Sequence, residues 1–442
     1  MAAAEVELPF HLRGNYAPVS EEITTFDLPV EGALPPELRG LYVRNGPNPK
    51  SGTSPHWFTG DGMLHGVRVE GGRARWYRNR YVRTRSLEEG LGFVREDGSV
   101  DRTIGVSNTN IVAHAGKLLA LVESSFPMCM GPELQTLGVY DYDGRLTTAM
   151  TAHPKLCPRT GELHFFGYAF APPFLSYHRA DAQGRLVQTE TIDVPGPTMI
   201  HDFALTAGHV VFMDLPVVFE IELAMQGRFP YRWSDSYGAR LGVMPRGGRG
   251  PKVRWLEIEP CYVFHPFNAF EEGGRIVVDV ARYPELWRAG SEGFDPAYLH
   301  RFVLDVAAGK VSEQRLDDRA IEFPRVDERR TGVPARYGYA AANHLGAGSS
   351  PERLVKYELA TGACRELDLG PGVAPSEFVF VPAGAGAGED EGWLVGYAYD
   401  RARNASDFLV VDANRFAGAP VARVPLPVRV PFGFHGNWIA DV

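Results

Sequence analysis

Apolar and polar positions alternate in short runs along most of the chain, and glycine-centred turns break the runs. VRVEGGRARWY (67–77), IVAHAGKLLALVE (111–123), YDYDGRLTTAM (140–150) and YHRADAQGRLVQTETIDV (177–194) each set a short Gly/Asp/Asn turn between two such runs. The pattern continues in FALTAGHVVFMDL (203–215), FEEGGRIVVDVA (270–281), FVLDVAAGKVSEQRLD (302–317), YELATGACRELDL (357–369) and GWLVGYAYDRARNASDFLVVDA (392–413). Side chains alternate between faces along a strand, so each of these predicts a β-hairpin. Their recurrence predicts an all-β fold, and units of roughly 40–55 residues fit a β-propeller of about seven blades. A pair of double-sheet sandwiches is the other arrangement that the spacing allows. No linker divides the chain, so residues 1–442 are expected to form a single propeller domain. VPAGAGAGEDEGW (381–393) is expected to be a surface loop, since no Gly-Lys-Ser/Thr follows to make a phosphate cradle.

Composition narrows the picture. The 442 residues include 49 glycines and 34 prolines, which suits strands joined by many turns. A formal net charge of −9 gives no basis for nucleic-acid binding. One basic stretch, GGRARWYRNRYVRTRS, carries Arg73, Arg75, Arg78, Arg80, Arg83 and Arg85. It fits either a solvated hairpin face or contact with an anionic surface such as lipid headgroups. The four cysteines, Cys129, Cys157, Cys261 and Cys364, have neither CxxC pairing nor zinc spacing. MAAAEVELPFHLRGNYAP lacks the basic-then-apolar order of a secretory signal, and no run approaches the ~18 apolar residues of a spanning helix. A cytoplasmic, reducing location is expected.

Candidate chemistry lies in the histidines. Thirteen are present, and four share a setting: His153 in TAHPKLC, His201 in TMIHDFAL, His265 in CYVFHPFNAFE and His435 in PFGFHGNWI. Each stands in a short apolar or aromatic run beside proline, glycine or aspartate. Taken singly, a core histidine is the plainer explanation; four in matching contexts suggest a shared role. Zinc-finger ligands come in close pairs, which these are not. A propeller instead brings the inner strands of different blades to one axis, where distant histidines can meet on one metal. Neutral imidazoles without a carboxylate suit Fe(II), Zn or Cu. Glu123 in LLALVESSFP, Glu322 in RAIEFPRVD and Glu377 in APSEFVFVP interrupt apolar strands and are candidates to hold the imidazoles from behind.

Together these segments resemble the carotenoid cleavage oxygenase family along nearly the whole chain. The resemblance begins with LRGLYVRNGPNP (38–49) and HWFTGDGMLHGVRV (56–69). It runs in order through SNTNIVAHAGKLLALVES, TAHPK, GELHFFGYAF, MIHDF, VFHPFNAFE, IEFPRVD, PSEFVFVP and GFHGNWI. It implies a seven-bladed propeller under a helical and loop cap, with one non-haem Fe(2+) per chain on the axis. By motif position the family's iron ligands fall on His153, His201, His265 and His435. Its supporting glutamates fall on Glu123 (to His201), Glu322 (to His265) and Glu377 (to His435), leaving His153 without a carboxylate. The implied activity is a dioxygenase that cleaves a conjugated C=C bond with O2 to give two carbonyl products.

Phe58, Phe264 and Phe434, near the implied ligands, are candidates to face the substrate, with core packing as the alternative. Stilbene-cleaving members of the family typically carry a lysine just before the first supporting glutamate. Here that position is Val122, which favours an apolar polyene, carotenoid or apocarotenoid, over a stilbene. SSFPMCMGPEL (124–134), with Phe126, is expected to form an apolar tunnel mouth that touches a membrane peripherally. A monomer is expected. Two readings from other classes, a non-catalytic propeller scaffold and a calcium- or zinc-dependent hydrolase, do not account for a matched set of four histidines.

Overall fold

In the computed structural model, which describes residues 8–95, 97–291, 293–342 and 350–441, all but one of the predicted hairpins are arranged within seven antiparallel blades around one axis. Blade one runs outward through Gly40–Pro47, Gly62–Glu70, Arg73–Tyr81 and Thr24–Leu28. Blades two, three and four begin at Asn110–His114, Lys155–Leu156 and Phe203–Leu205, each the first of four strands. Blades five and six start at Tyr262–Glu272 and within Lys310–Val326, and blade seven at Val373–Pro382.

Blades five and six share a strand. Lys310–Val326 pairs with Tyr298–Asp305 through its first part and with Tyr337–Ala342 from Ile321 onward. The outer edge of one blade thus continues as the inner edge of the next. The register shifts between Glu322 and Arg325, and Phe323 has φ 55°, so the backbone turns there without leaving the sheet.

The ring is closed by the chain end. Gly436–Ala440 adds to blade one through Arg44↔Gly436 to Gly40↔Ala440, while Glu31–Gly32 joins the outer edge of blade seven at Arg423 and Ala422. Both chain ends therefore bridge blades one and seven. The space that Gly433 and Gly436 leave is used by blade one. A Cβ on Gly433 would meet Gly46 Cα at 2.9 Å, and one on Gly436 would meet the Tyr42 hydroxyl at 2.6 Å.

Apolar faces pack blade against blade. Tyr42, Val67 and Tyr77 of blade one pack on Val395, Tyr397 and Phe408 of blade seven, and equivalent clusters fill the other junctions. One predicted hairpin does not form. YDYDGRLTTAM is the crossover from blade two to blade three, with Tyr142 and Asp143 at φ 55° and 58° and with Leu146 and Met150 buried. Its apolar residues fill the junction between the two blades rather than one sheet face.

Arg73, Arg75, Arg78 and Arg80 of the basic stretch lie in the strand Arg73–Tyr81, Arg83 and Arg85 follow it, and several of the charges are paired. Arg78 pairs with Glu133, Arg83 with Glu22 and Glu88, and Arg85 with Glu89. A cap covers one face of the ring. It is built from the segment around helix Arg85–Glu89, the turn Trp57–Thr59, and an insertion in blade four. That insertion is the ribbon Val217–Phe219 with Tyr231–Trp233, carrying helix Ile221–Met225 between its strands. Among the described residues no helix is long and apolar enough to cross a membrane.

Because Gly436–Ala440 is one of the two segments that close the ring, removing residues 436–442 while sparing His435 is expected to lower the melting temperature by at least about 5 °C, read by calorimetry. An unchanged transition would mean that blade one holds the ring without it.

Candidate metal centre

Three of the four histidines lie not in inner strands, as expected, but in the residues just before them. His153 precedes Lys155–Leu156, His201 precedes Phe203–Leu205, and His435 precedes Gly436–Ala440. His265 lies within Tyr262–Glu272, where the register shifts on both sides of Pro266. These irregular entries turn the rings inward instead of across a sheet face. The result is compact: one nitrogen of each imidazole lies within 4.8 Å of those of the other three, and all four residues are buried.

Carboxylates hold three of the rings from behind. Glu322 Oε2 accepts from His265 Nδ1 at 2.6 Å, and Glu377 Oε1 accepts from His435 Nδ1 at 3.0 Å. Glu123 pairs with His201 Nδ1. The three pairs and the unpaired His153 are those implied by the resemblance. Asp202 comes nearest to His153, but its oxygen is 3.8 Å from Nδ1, beyond hydrogen-bond reach, and it is tied to Lys155 Nζ at 2.8 Å.

The carboxylates have partners of their own that the sequence reading did not find. Tyr168 donates to Glu123 and the Tyr283 hydroxyl to Glu322 Oε1 at 2.9 Å. Glu377 accepts from Gly436 N at 2.8 Å and lies 3.5 Å from the Arg325 guanidinium. Tyr168 stands in GELHFFGYAF and Arg325 in IEFPRVD, both quoted as motifs, but a tyrosine in a strand gives no sign of which carboxylate it will meet. Burial would raise the Glu377 carboxyl; His435, Arg325 and the Gly436 amide outweigh it and hold the pKa at about 2. Glu377 is thus ionised and fixes Nδ1 of His435 as the donor.

Burial, followed by the neighbouring rings, pushes His153 well below the ordinary imidazole pKa, and burial lowers His265 too. Burial would also lower His201, but the Glu123 carboxylate raises it instead. Glu123 and Glu322 face Nδ1 of His201 and His265, and the two Nε2 atoms stand 3.2 Å apart, an arrangement that calls for a cation between them. His153 Nε2 is buried with no hydrogen-bond partner. Nitrogen donors left unmet around one point fit a divalent metal ion.

The centre divides two cavities. A large one of about 610 Å³ is walled mainly by apolar side chains, including Phe58, Val122, Phe264 and Phe434, and reaches His201, His265 and His435. Phe264 meets His201 edge-on at 4.9 Å between centroids, and Phe58 packs on Phe434 at 5.4 Å. A smaller one of about 380 Å³ lies against His153, Lys155, Asp202, Arg325 and Asn437, and also touches His265 and His435.

Phe126, expected at a tunnel mouth, instead lies outside the wall of the large cavity and packs on the cluster of Leu119, Leu121 and Tyr142. Met128 and Met130 are likewise buried in a blade-two strand, so of SSFPMCMGPEL only Ser124 lines the cavity and its apolar residues do not form a mouth. Blade packing claims its apolar side chains. The exposed rim is formed instead by Leu91, Phe93, Val94 and Ile221.

Residues 16–440 match the profile of the retinal pigment epithelial membrane protein family. A carotenoid cleavage oxygenase of Mycobacterium tuberculosis is 40% identical over 99% of this chain and 98% of its own length. A carotenoid 9,10(9',10')-cleavage dioxygenase of Phaseolus vulgaris is 36% identical over 98% of this chain and 90% of its own length. Among solved structures, Pseudomonas brassicacearum lignostilbene dioxygenase superposes with a TM-score of 0.88 at 30% identity, covering 99% of this chain and 100% of its own. Cobalt-substituted Synechocystis apocarotenoid oxygenase does so at 0.87 and 28%, covering 98% of both chains.

Removing a carboxylate that orients a ligand typically costs 10–100-fold in metal affinity. Glu322→Ala is expected to weaken metal binding by about that factor, measured by equilibrium dialysis and elemental analysis. Wild-type affinity in the variant would show that the ring is positioned by packing alone.

Proposed function

This chain belongs to the carotenoid cleavage oxygenase family, and we propose that it is a ferrous iron dioxygenase that cleaves one conjugated C=C bond of a carotenoid or apocarotenoid. The observation that carries the reading is the buried four-imidazole cluster at the end of a large apolar cavity. His153, His201, His265 and His435 would hold one Fe(2+) per chain, with Glu123, Glu322 and Glu377 orienting three of them. Four neutral nitrogen donors suit a divalent first-row metal, and a cobalt-substituted relative accepts another such ion. Ferrous iron bound there supplies the activation of O2. In the reaction the C=C bond breaks and each of its carbons takes one oxygen atom of the same O2 molecule, so no further reductant is needed.

The chain's own residues bind, orient and exclude water. Apolar walls keep the reacting bond dry, and the width left between the Phe58, Phe264 and Phe434 rings restricts how a flat polyene can lie. Their π faces also favour positive charge developing on the substrate. All the proposed ligands come from one chain, which supports action as a monomer. We further propose that the exposed apolar rim, Leu91, Phe93, Val94 and Ile221, with Met225 beyond it, rests on a membrane surface where such substrates dissolve.

Stilbene cleavage is the second reading, favoured by the likeness to the lignostilbene enzyme. Against it, Val122 puts an isopropyl group in the cavity wall beside Glu123 and offers a phenolate no cation.

Aerobic incubation of iron-loaded protein under 18O2 with β-carotene, apocarotenals and resveratrol, followed by mass spectrometry, tests the reading. Paired carbonyl products, each carrying one 18O, are expected from a polyene. Cleavage of resveratrol alone would overturn the substrate assignment, and no cleavage of any of them the activity itself. Phe93→Glu with Ile221→Glu should release the protein from sedimenting phosphatidylcholine vesicles; wild-type protein that stays in the supernatant would refute the membrane contact.

A further inference from the structure

Arg102 is the only arginine or lysine among the described residues that line the large cavity. It is half-buried, and burial lowers the pKa of its guanidinium with no carboxylate to offset it. Its neighbours are differently placed. Arg95 and Arg85 both pair with Asp101, Arg85 also pairs with Glu89, and Thr103 occupies the other Asp101 oxygen. Among the described residues, then, the acid next to Arg102 in sequence is already engaged, and the Arg102 side chain has no hydrogen bond or ion pair.

An unpaired guanidinium in an apolar wall is costly, because its five N–H donors lose water without gaining acceptors. The same donors suit a substrate that brings the acceptor. From Arg102 the lining continues through Ile104, Gly105 and Val106 to Thr109, whose carbonyl accepts from His435 N at 3.1 Å. Seven residues span at most about 25 Å, so the cation lies within reach of one end of a long polyene whose reacting bond is at the imidazoles.

We propose that Arg102 selects the substrate by binding an acceptor oxygen, a carbonyl or carboxylate, at the end of the polyene away from the cleaved bond. The preferred substrate is then an oxygen-terminated apocarotenoid rather than a hydrocarbon carotene, an assignment that rests on the cleavage reading above. A hydrocarbon end would leave the guanidinium unmet, whereas a carboxylate can accept two parallel N–H bonds from it.

The test compares iron-loaded wild type with Arg102→Met and Arg102→Lys on an apocarotenoic acid and on a hydrocarbon carotenoid of matching conjugation. Binding is read anaerobically by quenching of tryptophan fluorescence, and turnover aerobically; iron content shows that each variant is folded. Arg102→Met should lower the acid-to-hydrocarbon ratio, in affinity and in kcat/KM, by roughly tenfold or more, mainly through KM. Arg102→Lys should restore part of it. An unchanged ratio overturns the proposal while leaving polyene cleavage intact. Arg102-dependent binding of the acid with no cleavage of either compound would overturn the cleavage reading and leave the anchor standing. If the methionine variant cannot hold iron, Arg102→Lys and Arg102→Gln carry the same comparison, and equal ratios in both and in wild type refute the anchor.

Discussion

The structure depends on keeping four imidazole lone pairs pointed at one small volume that holds no acidic side chain. Such lone pairs repel, and burial removes the water that would screen them. Carboxylates behind the rings meet part of the problem: Glu322 and Glu377 accept Nδ1–H from His265 and His435, Glu123 pairs with His201 Nδ1, and Nε2 is left toward the axis. Those carboxylates are themselves buried or nearly so, and Tyr168, Tyr283 and the Gly436 amide satisfy their remaining oxygens. What remains unmet is the centre itself, which suits a cation.

The seven groups are shared around the ring. Glu123 comes from blade two, His153 from blade three, His201 from blade four, His265 from blade five, Glu322 from blade six and Glu377 from blade seven. His435 enters on the strand that closes blade one. Each blade thus contributes one, and the centre can be no more exact than the closure of the ring. The same arrangement separates an apolar space from a polar one, with His265 and His435 bordering both. Chemistry on a polyene can then proceed in an apolar compartment next to a more polar one.

Much of this was legible in the sequence. Glycine turns between alternating runs fixed most hairpins, and histidines beside proline, glycine or aspartate in apolar runs marked the axis, because such residues end strands where a ring must turn inward. Other features depend on partners far away in the chain. YDYDGRLTTAM has the pattern of a hairpin, yet its apolar residues are used between blades. Lys310–Val326 gives no local sign that it changes blade at Ile321. Phe126 and Met128 are apolar whether they line a tunnel or a core, so composition could not separate the two. Tyr168 and Tyr283 look like ordinary strand tyrosines until the fold brings each to a glutamate.

Whether the four imidazoles hold one metal is tested most directly by iron K-edge X-ray absorption on the protein reconstituted with one ferrous ion per chain. A four-histidine site gives a shell of low-atomic-number scatterers whose multiple-scattering pattern fits four imidazoles, reduced to three in His153→Ala. A fit requiring carboxylate or thiolate ligands, or a spectrum unmoved by His153→Ala, would contradict it.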